Sequence, residues 1–361
     1  MTDRAERLVA ELDEMGDGTG ADLMLVTSLL NVRYLTGYAG SNGAALIGPD
    51  IRVFFTDFRY QEQSAVEVDP SFQRRIEKLD LVEGLSDVLP PGELRLAFED
   101  AAMTVRANAK LRELLDERVA LVAAGDPVER LRAVKEPSEL EKIRAAAQLA
   151  DEAIREIMEQ GLAGRTEREV AQALEAGMRR RGAQGVSFDS IVAAGPHGAL
   201  PHATPRDVTI EAGELVVIDW GAELDGYCSD CTRTFASGEL PDDQKIVYDL
   251  VLEAQLAGLR AVRPGVAGRE ADSAARSVID EAGHGEHFGH GLGHGVGIEV
   301  HEAPRLSQRS DSTIEQGNVV TVEPGVYVPG AFGVRIEDLV YVTADGPEIL
   351  TSVPKQLIAV Q

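Results

Sequence analysis

Cysteine is scarce in this chain. There are two, Cys228 and Cys231, both in the run CSDC. So few thiols exclude a disulfide-stapled fold and point to a reducing compartment, for which the cytoplasm is the expectation. The CxxC spacing also admits a redox or zinc reading. A thioredoxin-type pair opens a helix after a strand, however, and this pair sits inside a strand-like run. Basic residues are in deficit: 35 Lys and Arg against 61 Asp and Glu give a net charge of −26. Such a charge keeps a protein soluble and repels nucleic acid and anionic membrane, so neither is expected as a partner. Long apolar runs are missing too. Stretches such as Leu215–Ile218 are far too short to span a bilayer. The opening MTDRAERLVAELDEMG is acidic and amphipathic and does not read as a secretory signal. No repeat of solenoid period and no low-complexity tract is visible.

What is present is length and patterning. A chain of 361 residues suggests two domains of roughly 100–200 residues each. The first part alternates strand-like pieces (DLMLVTS, AALIGP, IRVFFTD) with helix-like ones (AERLVAELDEM, RRIEKLDLVEGLSDVL, ANAKLRELLDERVA), as a mixed α/β domain does. The segment NVRYLTGYAGSNGAALI, broken by Gly37, Gly40 and Gly43, reads as a loop between strands. A boundary is expected between residues 128 and 129. Beyond it, the capping boxes SELE, from Ser138, and TERE, from Thr166, predict two helices ending near Gln160 and Arg181. Two further helices fit DDQKIVYDLVLEAQLAGLRAV and READSAARSVIDEAG. Strand-like runs lie between and after them, so residues 129–361 read as α+β, an antiparallel sheet with helices on one face.

The candidate chemistry lies in this second part. In VVIDWGAELDGYCSDCTRTF the Asp225-Gly226 pair signals a hairpin. A turn centred on Leu224-Asp225 sets Asp219 opposite Asp230; one centred on Asp225-Gly226 makes them diagonal neighbours on one face. Either register brings two carboxylates within roughly 5–8 Å. Two such anions repel unless solvated, protonated or bridged by a metal. Glu323 in VVTVEPGVY and Glu337 in VRIEDLVYV stand in β-branched runs where a carboxylate is costly to bury unpaired. The bland alternatives are surface aspartates on a solvated hairpin, glutamates at strand ends, and an Arg335 partner for Glu337. The run FGHGLGHGVGIEVHEAP adds His290, His294 and His301, with glycines that let backbone crowd a site. It lacks the last glycine of a dinucleotide fingerprint and the second histidine of a HExxH zinc helix. Four carboxylates and an imidazole form an oxygen-rich box suited to Mn²⁺, Co²⁺, Fe²⁺ or Zn²⁺. Two divalent ions balance four carboxylates, and such a pair can hold a hydroxide and polarise a carbonyl, the chemistry of metal-assisted amide hydrolysis.

These motifs, DWGAELDGYCSDCTRT, GHGVGIEVHEAP, TVEPGVY and VRIED in that order, resemble those of the pita-bread metallopeptidases: methionine aminopeptidase, prolidase and aminopeptidase P. The resemblance covers nearly the whole chain. It implies a pita-bread catalytic domain over 129–361 and a ribonuclease-H-like α/β domain over 1–128. It implies five metal ligands, Asp219, Asp230, His294, Glu323 and Glu337, holding two divalent ions. Mn²⁺ is the expected ion, with Co²⁺ or Zn²⁺ as alternatives. It implies that His202 lines the substrate pocket, that His290 and His301 contact substrate and stabilise the tetrahedral intermediate, that Glu323 lies near the water, and that Arg335 supports the Glu337 carboxylate. His197, His284 and His287 match no role. The sizeable first domain argues against methionine aminopeptidase, and the complete ligand set argues against creatinase-like relatives. What remains is a proline-specific exopeptidase acting on peptides with proline at the second position. The leaning is to an Xaa-Pro aminopeptidase, because no device closing the pocket beyond proline is evident. The alternatives are an Xaa-Pro dipeptidase and, further off, a non-catalytic peptide-binding member. A homodimer is expected, in which Tyr34, Arg59 and Tyr60 are the first-domain residues to watch. Cys228, which shares a strand face with Asp230, is expected to be a passive small residue.

Overall fold

A computed structural model describes residues 3–13, 20–78 and 80–360. The chain divides into two compact units, Met1–Arg132 and Ala133–Gln361. The boundary expected between residues 128 and 129 falls inside a helix, Pro127–Ala133.

The first unit is built on a six-stranded mixed sheet. Its order is 73–77, 51–57, 44–48, 23–26, 94–98, 119–123; the strand 44–48 is antiparallel to both its neighbours and the other three pairings are parallel. The opening helix spans Arg4–Asp13; Glu14 and Met15, which the sequence reading included, lie outside the described residues. Two sequence expectations fail in this unit. Residues Leu29–Thr36 form a helix instead of a loop. The two residues just ahead of it are held from a distance: Glu99 Oε2 accepts from the Thr27 and Ser28 amides at 2.6 and 2.7 Å. The RRIEKL stretch, expected to be helical, begins as the strand Gln73–Glu77, paired in parallel with Ile51–Asp57. Here tertiary pairing overrides local helical propensity. Tyr34 is buried, with its hydroxyl donating to Leu131 O at 3.2 Å, which is a packing role.

The second unit contains two helical hairpins, Pro137–Gln160 with Glu167–Arg180 and Asp242–Ala261 with Gly268–Glu281. Thr166 and Glu169 form the expected capping box. The first helix instead starts at Pro137, because proline suits the first helical position; Glu136 is the N-cap, and Glu139 accepts from its amide at 2.9 Å. All the sheets here are antiparallel. A five-stranded one runs 302–306, 293–295, 319–322, 338–343, 346–349, and a three-stranded one runs 231–236, 215–220, 191–194. The first hairpin shares its core with the three-stranded sheet through Ile154, Leu174, Val216, Ile218 and Trp220. The second packs Val251, Ala271 and Ile279 with Leu292, Val320 and Val340. Each such aliphatic side chain stabilises the fold by about 1.5–3 kcal/mol on burial.

Candidate active site

The alternation of strand side chains fixes where the polar residues point. Val216, Ile218 and Trp220 face the helical core, so Asp219 lies on the opposite face. Cys231 and Phe235 face the same core, which leaves Thr232 beside Asp219. Val320 and Val322 belong to the second core, and Thr321 and Glu323 alternate with them. Phe332, Val334 and Ile336 do the same for Arg335 and Glu337. Four strands therefore each bury an apolar face and turn their polar residues toward one place.

The hairpin register settles the first pair. Asp225 and Gly226 both have positive φ, 50° and 74°, the signature of a two-residue type I′ turn. Thr232 then lies directly opposite Asp219, and Asp230 is its diagonal neighbour. One carboxylate oxygen each from Asp219, Asp230 and Glu337 lies within 4.8 Å of the others. His294 Nε2 stands 3.3 Å from Glu323 Oε1 and 3.6 Å from Asp230 Oδ2. Its Nδ1 faces Gly295 O at 3.0 Å, so Nδ1 carries a proton and Nε2 is turned in among the carboxylates. The glycines flanking His294 have a steric reason. A Cβ at Gly293 would collide with Thr321 O, and one at Gly295 with Ala303 O, because the neighbouring strands approach too closely.

The electrostatics fit cations. Burial, then Glu337 and the other neighbouring carboxylates, pushes Asp230 well above the ordinary range, and burial with Glu323 and Asp219 does the same to Glu337. Burial raises Asp219 against the pull of Arg335. Burial opposes ionisation of Glu323 as well, but its hydrogen bond to His294 outweighs it and holds Glu323 at about 2. Asp219 Oδ1 is buried without a hydrogen-bond partner. A box of oxygen donors that cannot all ionise together, with one orphaned carboxylate oxygen, matches a divalent metal centre.

Arg335 pairs directly with Asp219 and touches Glu337, the carboxylate it is expected to support, through a hydroxyl. Its Nη2 donates to Asp219 Oδ2 at 2.6 Å, an ion pair. It reaches Glu337 only through Thr232: Nε donates to Thr232 Oγ1 at 3.0 Å, and Thr232 Oγ1 donates to Glu337 Oε2 at 2.7 Å. Tyr327 OH joins Arg335 Nη1 to His290 Nε2, both at 2.9 Å, and His290 Nδ1 lies 2.8 Å from Gly291 O. Both ring nitrogens of His290 are thus engaged within the protein. His301 packs its ring edge-on against His294 at 4.4 Å between centroids. Burial, then His294 and Arg305, lowers His301 to about 4, which keeps its imidazole neutral near pH 7.

A cavity of about 640 Å³ opens onto this box. His202, His290, His294 and His301 line it, with Asp219, Asp230, Glu323 and Glu337 at its base. Among the described residues neither His202 nor His301 has a hydrogen-bond partner. Sequence reasoning missed several contributors: Thr232, Thr321, Tyr327 and Arg305. The Arg305 side chain lines the cavity, is exposed, and has no ion-pair partner among the described residues. His197 is buried against Glu167, 2.9 Å from Oε2, and lies outside the box. His284 and His287 pair with each other at 3.1 Å. Cys228 and Cys231 are free, buried thiols; burial pushes Cys228 up to about 12, which leaves no thiolate for redox chemistry.

Comparisons with known proteins agree with this geometry. The metallopeptidase family M24 matches residues 141–344, and the creatinase/prolidase N-terminal domain matches residues 4–134. An Xaa-Pro dipeptidase of Pyrococcus horikoshii is 36% identical over 355 residues, 97% of this chain and 98% of the relative. Among solved structures, an Xaa-Pro dipeptidase from Bacillus anthracis superposes with a TM-score of 0.93 at 41% identity, covering 99% of both chains. An X-Pro aminopeptidase from Thermotoga maritima gives a TM-score of 0.88 at 38% identity over 99% of this chain and 100% of that one. The match spans more than half the chain and the likeness extends through both units: this chain belongs to metallopeptidase family M24.

Proposed function

We propose that this chain is a metal-dependent exopeptidase that hydrolyses the bond between a first residue and a following proline. The observation that carries the reading is the convergence of Asp219, Asp230 and Glu337 beside His294 and Glu323 at the base of one cavity. These five side chains would hold the metal. Four carboxylates against the single guanidinium of Arg335 leave three negative charges, more than one divalent ion neutralises, which favours two; Mn²⁺, Co²⁺ and Zn²⁺ all suit the donor set. When bound, the ions supply Lewis acidity and make water a nucleophile at neutral pH.

The remaining steps belong to the chain. Phe188, Ile191, Pro201 and Pro205 give the cavity an apolar wall for the proline ring and the preceding side chain. His202 and His301, without hydrogen-bond partners among the described residues, are placed to hydrogen-bond the scissile amide and its developing oxyanion. Glu323 uses Oε1 for Thr321 and His294. Its Oε2 is assigned to carry a proton from the attacking water to the proline nitrogen as the C–N bond breaks. His290 holds Tyr327, and through it Arg335, in place.

The chain-length preference turns on Arg305. An unpaired guanidinium in the cavity wall is a receptor for the free carboxylate of a dipeptide. The sequence offered no such device and leaned to an aminopeptidase; Arg305 favours an Xaa-Pro dipeptidase. The buried reduced thiols suit a cytoplasmic setting, and the exposed Phe58 and Arg59 of the first unit suit a homodimer contact. The test is to strip the protein with chelator, reload it with each metal separately, and offer Ala-Pro, Ala-Pro-Ala and Met-Ala-Ala. Cleavage of Ala-Pro alone, lost in Arg305→Met, is the expected result. Cleavage of Ala-Pro-Ala returns the aminopeptidase reading. Cleavage of Met-Ala-Ala alone, or of nothing with any metal, overturns proline-specific hydrolysis.

A further inference from the structure

The segment 288–292, which carries His290, contains little regular structure, yet its backbone is held at alternate residues by one ion pair. On the helix Gly268–Glu281, Asp272 and Arg276 stand four residues apart. Arg276 Nε donates to Asp272 Oδ2 at 2.8 Å and Nη2 to Oδ1 at 2.9 Å. The Asp272 side chain is fully buried and that of Arg276 is 11% exposed. Among the described residues, every remaining hydrogen bond of the pair's side chains goes to the segment. Arg276 Nη1 donates to Phe288 O at 2.8 Å, Nη2 donates to His290 O at 2.7 Å, and Asp272 Oδ1 accepts from Leu292 N at 3.0 Å. The guanidinium also lies 4.0 Å over the Phe288 ring, which in turn meets His290 edge-on at 5.1 Å.

We propose that Asp272 and Arg276 are positioning residues that act through His290, fixing the backbone on both sides of it and so the His290–Tyr327–Arg335–Asp219 chain that borders the metal box. The inference rests on the reading of the cavity as the substrate site. Only a planar fork can serve two carboxylate oxygens and two carbonyls at once, so an arginine is required. A buried pair of this kind is a poor source of stability and a good source of geometry.

A double-mutant cycle tests this. Arg276→Met is expected to lower kcat/KM for Ala-Pro by about 10²-fold, the size of a misplacement near 1 Å, with metal content unchanged. Combined with His290→Ala it is expected to add almost nothing to the loss from His290→Ala alone, since both act through one side chain. Arg276→Lys keeps the charge and loses the fork. It is expected to show the same non-additivity and serves if the methionine variant fails to fold. Losses that multiply in the cycle, or full activity in a folded Arg276 variant, overturn the proposal. Imidazole nitrogen shifts of His290 read the same question without substrate. Unchanged shifts in Arg276→Lys sink the clamp even if the cavity turns out to serve another peptide. Full activity in His290→Ala, with its shifts in the parent protein as assigned, sinks the reading of the site instead.

Discussion

Asp230 and Glu337 each hold a carboxylate oxygen within 4.8 Å of two others, and both are almost fully buried. Such carboxylates are tolerated because something positive binds among them. Asp230→Ala or Glu337→Ala is therefore expected to abolish hydrolysis and loosen metal. His202→Ala or His301→Ala is expected to lower kcat by about 10²-fold, the usual scale for a hydrogen-bonding or proton-transfer group, while leaving metal bound. Metal stoichiometry after dialysis, measured beside kcat, separates the two groups. A histidine variant that loses metal would show that the ligand shell has been misassigned. At this scale much of the site was legible, because Asp219, Asp230, Glu323 and Glu337 each stand in an apolar β-run where a carboxylate demands a reason. The hydroxyls that orient them were not. Thr232 meets Asp219 only in one of the two hairpin registers, and Thr321 and Tyr327 look like ordinary strand residues. Arg305 was illegible because its place in the cavity wall follows from how the strand 302–306 pairs with 293–295.

Among elements, the hairpin over 215–236 shows what sequence can and cannot decide. The Asp-Gly pair announces a turn, but two registers remain open until the positive φ of both residues selects one. That selection places Asp219 and Asp230 on a diagonal. Gly226→Val forces a β-branched residue to φ 74° and is expected to cost about 1–2 kcal/mol. Because strain at the turn is relieved by shifting the register, metal affinity should fall along with Tm. Titration of Mn²⁺ into the apo variant checks this, and a lower Tm with unchanged affinity would mean that the register is held elsewhere. The helix Leu29–Thr36 and the strand Gln73–Glu77 were misread for a related reason. Glu99, just past another strand, holds the residues that lead into the helix, and a parallel neighbour recruits a segment of helical propensity into a sheet edge. Long-range partners of that kind leave no trace in a local window.

Over the whole molecule the dominant fact is the charge of −26. No helix among the described residues is long and apolar enough to cross a membrane. The cavity wall differs from that surface, presenting the guanidinium of Arg305, which has no ion-pair partner among the described residues. Substrate therefore crosses a negative field before reaching a local positive one. The field extends about 10 Å at 0.1 M salt and shrinks to about 3 Å at 1 M. A cationic dipeptide such as Lys-Pro should be concentrated by it, an anionic one such as Asp-Pro depleted, and zwitterionic Ala-Pro left almost untouched. With metal held in excess, raising salt from low to high should lower kcat/KM for Lys-Pro several-fold, raise it for Asp-Pro, and leave Ala-Pro nearly flat, within the roughly 10- to 10³-fold span of electrostatic steering. A common salt response of all three substrates would mean that the acidic surface does not reach the cavity electrostatically and that its role is solubility alone. Opposite slopes for Lys-Pro and Asp-Pro would make the surface charge a determinant of which residue is accepted ahead of proline.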